Sequence, residues 1–147
     1  MRIGLISDTH GLLRPEALRA LDGSELILHA GDVGDPKILD ELEKIAPVRA
    51  VRGNIDVEPW ARRLPATREV AADGLYIHLV HKVNTLRGGK FDVVVFGHSH
   101  EPLVEMKNGV LFVNPGSAGP RRFRLPVTAG VLWTGTDLRA EIVTLPV

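Results

Sequence analysis

Five short apolar runs in this chain each stop at an aspartate, an asparagine or a histidine. That repeated ending restricts the fold more than any other feature. The runs are Ile3–Ile6 before Asp8 and His10, Leu26–Leu28 before Asp32, Val48–Val51 before Asn54, Leu75–Val80 before His81, and Phe91–Phe96 before His98 and His100. Each is short, rich in β-branched residues or leucine, and closed by a polar residue or glycine, as a strand is. In open α/β sheets, ligands gather in the crevice at the carboxyl ends of the strands. If these five strands lie side by side, Asp8, His10, Asp32, Asn54, His81, His98 and His100 meet in one pocket. Chance would scatter such residues over both ends of a sheet.

The intervening segments supply the rest of the architecture. Pro15 suits the first turn of a short helix through Ala17, Leu18 and Leu21. Asp35-Pro36 opens a second helix, with Asp35 as N-cap and Ile38, Leu39, Leu42 and Ile45 as its apolar stripe, and Pro47 stops it. Asp73-Gly74 predicts a hairpin between Arg68–Ala71 and Leu75–Val80. Two further strand pairs follow, turning at Lys107-Asn108-Gly109 and at Thr134–Thr136. The first half therefore reads βαβαβ and the second half reads as hairpins. The expected fold is one α/β domain over residues 1–147, with two packed mixed sheets and helices on the outside.

Composition removes several classes of function. The chain has 147 residues and no cysteine, which excludes disulfides, zinc–thiolate sites and cysteine nucleophiles. The formal net charge is zero, so no basic footprint for nucleic acid is indicated. No apolar stretch approaches the roughly 20 residues of a membrane span. A cytoplasmic location is expected, and the oligomeric state, a homo-oligomer included, is left open.

Two carboxylates, four imidazoles and one amide, without sulfur, suit manganese, iron, cobalt, nickel or zinc. Seven ligands exceed one tetrahedral site. Two sites are filled if one carboxylate bridges. Two divalent ions would bring four positive charges against two from Asp8 and Asp32, leaving charge to hold a hydroxide and an anionic phosphate. Such a pair, with ions about 3.5–4 Å apart, serves in-line phosphoryl displacement.

The blocks Asp8-Thr9-His10, Gly31-Asp32, Gly53-Asn54, His81 and Gly97-His98-Ser99-His100 resemble the calcineurin-like metallophosphoesterases. Ser-Asp-Thr-His, Gly-Asn-x-Asp and Asn-Pro-Gly-Ser are similar to strings of the small bacterial and archaeal phosphodiesterase branch. The resemblance implies a four-layer α-β-β-α sandwich. It also implies one metal site of Asp8, His10, Asp32 and His100, and a second of Asp32, Asn54, His81 and His98, with Asp32 bridging. The expected activity is a metal-dependent phosphodiesterase in which a metal-bridging hydroxide attacks phosphorus. Two divalent ions serve it, manganese first and nickel, cobalt, iron or zinc as alternatives. The substrate is a small phosphodiester or phosphomonoester.

Where many relatives carry Gly-Asn-His-Glu, this chain has Gly53-Asn54-Ile55-Asp56, so no histidine stands ready to protonate a leaving group. Lys82 replaces a glycine that usually follows His81, and the Val83–Lys90 linker is shorter than the usual helix there. Asp56 is a candidate acid against the alternative of a turn residue. His29 and His78 read as core or supporting histidines. Arg121, after Asn114-Pro115-Gly116-Ser117, is a candidate contact to a substrate phosphate, against the alternative of a solvated run with Arg122 and Arg124. The rival function is a non-catalytic metal-binding scaffold of the same fold, acting in protein assembly. The intact set of seven ligand types favours the enzyme.

Overall fold

A computed structural model describes residues 1–147. Ten strands and two α-helices follow one another as β1 (Arg2–Ile6), α1 (Pro15–Leu21), β2 (Leu26–His29), α2 (Pro36–Glu43), β3 (Val48–Ala50), β4 (Thr67–Ala72), β5 (Leu75–Val80), β6 (Val93–Val95), β7 (Leu103–Lys107), β8 (Val110–Asn114), β9 (Thr128–Trp133) and β10 (Arg139–Thr144). Two 3-10 turns, Pro59–Arg63 and Val83–Thr85, lie in the connections.

The strands form two mixed five-stranded sheets, in the orders β10-β9-β1-β2-β3 and β4-β5-β6-β8-β7. β1, β2 and β3 are parallel neighbours, as are β5, β6 and β8. The ligand-bearing strands are thus not one continuous row. Three belong to the first sheet and two to the second, and both sets finish at the same edge of the sandwich.

Alternation along the strands sorts the side chains into layers. Ile3 and Leu5 of β1 meet Ile77 and Leu79 of β5 and Val93 and Val95 of β6 between the sheets. Ile6, Ile27 and Val48 face outward instead, against Ala17 and Leu21 of α1 and Ile38 and Leu42 of α2. The Asp35 side chain caps α2 by accepting from the Lys37 backbone N–H at 2.9 Å. On the outer face of the second sheet, Val80, Val94 and Phe96 are covered by Val83, Leu86 and Phe91 from the 83–91 connection. That connection carries Gly88-Gly89 and no helical stripe, so it forms only one 3-10 turn. The outermost layer is therefore thin on this side.

Candidate metal centre

The seven side chains singled out in the sequence all lie at one end of the sandwich. Asp8, His10 and His100 offer ligand atoms within 4.8 Å of one another, and Asp32, His81 and His98 do the same. Asn54 joins the second group, with Oδ1 at 3.0 Å from His81 Nε2 and 3.3 Å from His98 Nδ1. Asp32 lies between the groups. Its Oδ2 is 3.5 Å from His10 Nε2 and 3.2 Å from His81 Nε2, while its Oδ1 accepts from the Ile55 N–H at 3.0 Å. One carboxylate oxygen thus addresses both groups.

The backbone that achieves this is unusual. Asp8, His10, Asp32, His98 and His100 all have φ between +46° and +75°. Non-glycine residues rarely adopt that region, and strain of this kind collects at functional sites. Here it turns each side chain off the strand direction and into the crevice. Two glycines permit the close approach. A Cβ at Gly53 would overlap the Asp32 carboxylate and backbone nitrogen, and one at Gly97 would overlap Ser7 Oγ and approach Asp8 Oδ2 to 2.7 Å.

Hydrogen bonds fix which ligand atoms remain available. Asp8 Oδ2 accepts from Ser7 Oγ at 2.7 Å and from the His98 N–H at 3.1 Å. Asp8 Oδ1 is buried without a partner. It faces His100 Nε2 at 3.5 Å and His10 Nε2 at 3.8 Å, and those two nitrogens face each other at 3.3 Å. Lone pairs converging on an orphaned carboxylate oxygen fit a cation. In the second group, His81 Nδ1–H donates to the Ala30 carbonyl at 2.8 Å, which aims Nε2 at Asp32 and Asn54.

The electrostatics follow from burial and charge. Burial pushes the Asp8 carboxyl up, from the ordinary 3.8 to about 6. Burial also lowers His10 and His100, the latter to about 4, and the Arg122 guanidinium adds to both shifts. His98 is lowered by burial and by the charges of His81 and Lys82. Burial works against the charged forms of His81 and Asp32 as well. Their mutual hydrogen bond and neighbouring charges outweigh it, raising His81 and lowering Asp32. Three neutral imidazoles and an ionised Asp32 are the forms that divalent ions need.

Other residues singled out in the sequence lie around this cluster. Asp56 accepts from the N–H groups of Val33, Gly34 and Gly53 at 3.1, 3.0 and 2.8 Å, so its carboxylate pins two ligand loops together. His29 is fully buried, 3.0 Å from Thr9 Oγ1 and accepting from the Gly31 N–H at 3.1 Å. His78 lies on the outer face of the second sheet, against Glu69 and the Phe91 ring. Asn114 Nδ2 donates to the Gly97 carbonyl and to Ser99 Oγ, and Ser117 Oγ donates to the Asp8 carbonyl, so Asn-Pro-Gly-Ser buttresses both ligand turns. Arg121 is not brought to the cluster. Its guanidinium donates to the Leu125 and Val147 carbonyls at 3.4 and 3.2 Å, and the arginine whose charge reaches the imidazoles is Arg122. Nothing in the Arg121-Arg122 sequence distinguishes the two.

Residues 1–137 match the calcineurin-like phosphoesterase superfamily domain. The chain belongs to that superfamily. This phosphoesterase is 36% identical, over 159 residues, to a probable metallophosphoesterase of Methanothermobacter thermautotrophicus, with 97% of this chain and 92% of the relative covered. Its fold is similar to that of an archaeal phosphodiesterase, with a TM-score of 0.80, 28% identity, and 97% and 100% of the two chains covered. It is also similar to Vps29 of Chaetomium thermophilum, with a TM-score of 0.79 but 20% identity, over 99% and 98% of the chains. The last likeness is one of fold. The chain is accordingly a hydrolase of phosphoric esters, of a family that uses divalent metals, on the two-sheet fold that the element order and the resemblance lead one to expect.

Proposed function

We propose that this phosphoesterase is a phosphodiesterase working at a dinuclear centre. Asp8, His10, Asp32 and His100 would hold one divalent ion, and Asp32, Asn54, His81 and His98 the other, manganese being the ion we assign. The observation that carries this reading is the position of Asp32 Oδ2 between His10 Nε2 and His81 Nε2. Two bound divalent ions supply an activated water and neutralise the charge that develops on the phosphoryl oxygens. The chain's residues do the rest. The Ala30 and Ile55 backbone bonds fix His81 and Asp32 in their ligand orientations, and Ser7 holds Asp8. Arg122, exposed, without an ion pair and with a charge that acts on His10, His98 and His100, is suited to meet a substrate phosphate oxygen.

The missing proton donor favours esters with easier leaving groups. Ile55 is 41% exposed at the mouth of the site and has no proton to give. Asp56 is occupied by three backbone N–H groups. Substrates whose leaving groups depart without protonation are therefore favoured. The cysteine-free sequence accords with a reducing compartment, and we assign the activity to the cytoplasm.

The test is to strip the protein of metal, reload it with Mn, Ni, Co or Zn, and assay bis(p-nitrophenyl) phosphate against p-nitrophenyl phosphate. We expect manganese-dependent turnover of the diester, exceeding the monoester by about tenfold or more in kcat/KM. Asp32→Ala should lose at least ~1,000-fold, because one side chain serves both ions. Arg122→Ala should chiefly raise KM. Full turnover by Asp32→Ala would refute the dinuclear reading, and no turnover with any metal would favour a scaffold.

A further inference from the structure

A cavity of about 190 Å3 opens beside the second ligand group, between the carboxyl ends of β3 and β5. Its lining includes Asn54 and His81, the bonded pair of the metal centre, together with Arg52, Thr67, Lys82 and Thr85. At ~30 Å3 per water, it has room for about six water molecules, and so for a hydrated phosphate group.

The charge in this cavity is one-sided. Arg52 and Lys82 line it and no carboxylate does. The half-buried Lys82 has no ion pair or hydrogen bond at its ammonium. Arg52 spends one N–H on the Leu64 carbonyl at 2.7 Å, which steadies the guanidinium and leaves its other donors free. The turn carrying Lys82 is tied down as well, since the Lys82 carbonyl accepts from the Thr85 N–H at 3.0 Å and the Thr85 hydroxyl at 2.6 Å. Two cations on anchored backbone border this small, largely apolar opening, with the Thr67 and Thr85 side chains nearby, and a phosphate at its rim is within the chemistry both can offer. Such a focused positive field also draws anions to the site. Arg52 lies two residues before Asn54, and Lys82 directly follows His81. An anion held there is therefore close to a phosphodiester at the metal centre.

We propose that this cavity is a second anion subsite, and that the substrates are phosphodiesters carrying a further phosphate on their organic portion. Arg52 and Lys82 hold that phosphate while the diester occupies the metal centre. The proposal rests on the phosphodiesterase reading for its substrate class.

The test uses two esters that differ by one phosphate: thymidine 5′-(p-nitrophenyl phosphate) with and without a 3′-phosphate. The manganese-loaded protein should favour the 3′-phosphorylated ester by about tenfold in kcat/KM, mainly through KM. Lys82→Met and Arg52→Gln should each reduce that ratio several-fold, and together bring it near one. Lys37→Met, on the exposed face of α2, is the control for net charge and should leave the ratio unchanged. A wild-type ratio near one, or a preference that survives in the double variant, overturns the subsite while leaving the phosphodiesterase intact. If neither ester is hydrolysed with any metal, the phosphodiesterase reading fails, and calorimetry decides the subsite alone. About tenfold tighter binding of thymidine 3′,5′-bisphosphate than of thymidine 5′-phosphate, lost in the double variant, sustains it. Equal affinities refute it.

Discussion

Asp8 shows most directly how a single residue trades stability for function. Its carboxyl is fully buried and one oxygen has no hydrogen-bond partner. Burial raises its pKa from 3.8 to about 6 in the metal-free protein. The sign follows from linkage. The folded state binds this proton more tightly than the unfolded state, so the contribution to stability is fully present below pH ~4 and is lost as pH rises through about 6. Above that, the ionised carboxylate is a cost that a cation offsets. Asp8→Asn should therefore make the metal-free protein more stable at pH 8, by on the order of 2 kcal/mol, while removing activity. Urea denaturation with chelator present at pH 8 and pH 4 measures this. A gain that is the same at both values would contradict the burial argument. Its place after the first strand, two residues before His10, marks Asp8 as a candidate ligand in the sequence, but its orphaned oxygen is a fact of packing alone.

Between elements, the loops that carry the proposed ligands are braced by a buried carboxylate. The Asp56 carboxylate collects N–H groups from the loop after β2 and the loop after β3, and so sets Asp32 and Asn54 relative to each other. Asp56→Ala leaves three donors without their acceptor and should destabilise the fold by about 2–4 kcal/mol. It should also weaken metal binding, because both loops it joins carry proposed ligands, Asp32 and Asn54. Denaturant unfolding and manganese titration check the two effects, and a variant with wild-type values for both would refute the bracing role. Much at this scale is legible beforehand. Pro15, Asp35-Pro36, Pro47, Asp73-Gly74 and Asn108-Gly109 mark element ends, because local backbone chemistry acts over a few residues. The Asp73 and Asn108 turns do adopt positive φ. Asp56 is ambiguous in sequence, since its three partners are distant in the chain or lie in a turn of unspecified shape. Arg121 and Arg122 are likewise indistinguishable in sequence, and what separates them is that the Arg121 guanidinium is taken up by the nearby Leu125 and the distant Val147 carbonyls.

Across the whole molecule, the centre joins the two sheets. Asp8, His10, Asp32 and Asn54 follow strands of the first, while His81, His98 and His100 follow strands of the second. Bound metal would thus tie together layers that otherwise meet through the apolar side chains of Ile3, Leu5, Leu28, Ile77, Leu79 and Val95. None of the seven candidate ligands belongs to that core. Chelation should leave the far-UV circular dichroism unchanged and lower Tm by roughly 5–10 °C relative to saturating manganese. Loss of all structure, or no shift at all, would contradict this division of roles.

Chain order alone displays the local pieces: where strands stop, which residues with ligand chemistry stand at those stops, and that no cysteine takes part. Periodicity and turn residues act within a few positions, so one chain read in order displays them. Two mixed sheets follow from the order of the elements and a bridging Asp32 from the family resemblance, whereas the tertiary structure placed three of the five strands in one sheet and two in the other. It alone decided that Asp8, His10, Asp32, His98 and His100 enter the left-handed region, and that Arg52 and Lys82 share a cavity. Those outcomes depend on contacts between residues far apart in the chain, whose energies exist only once the sheets have packed.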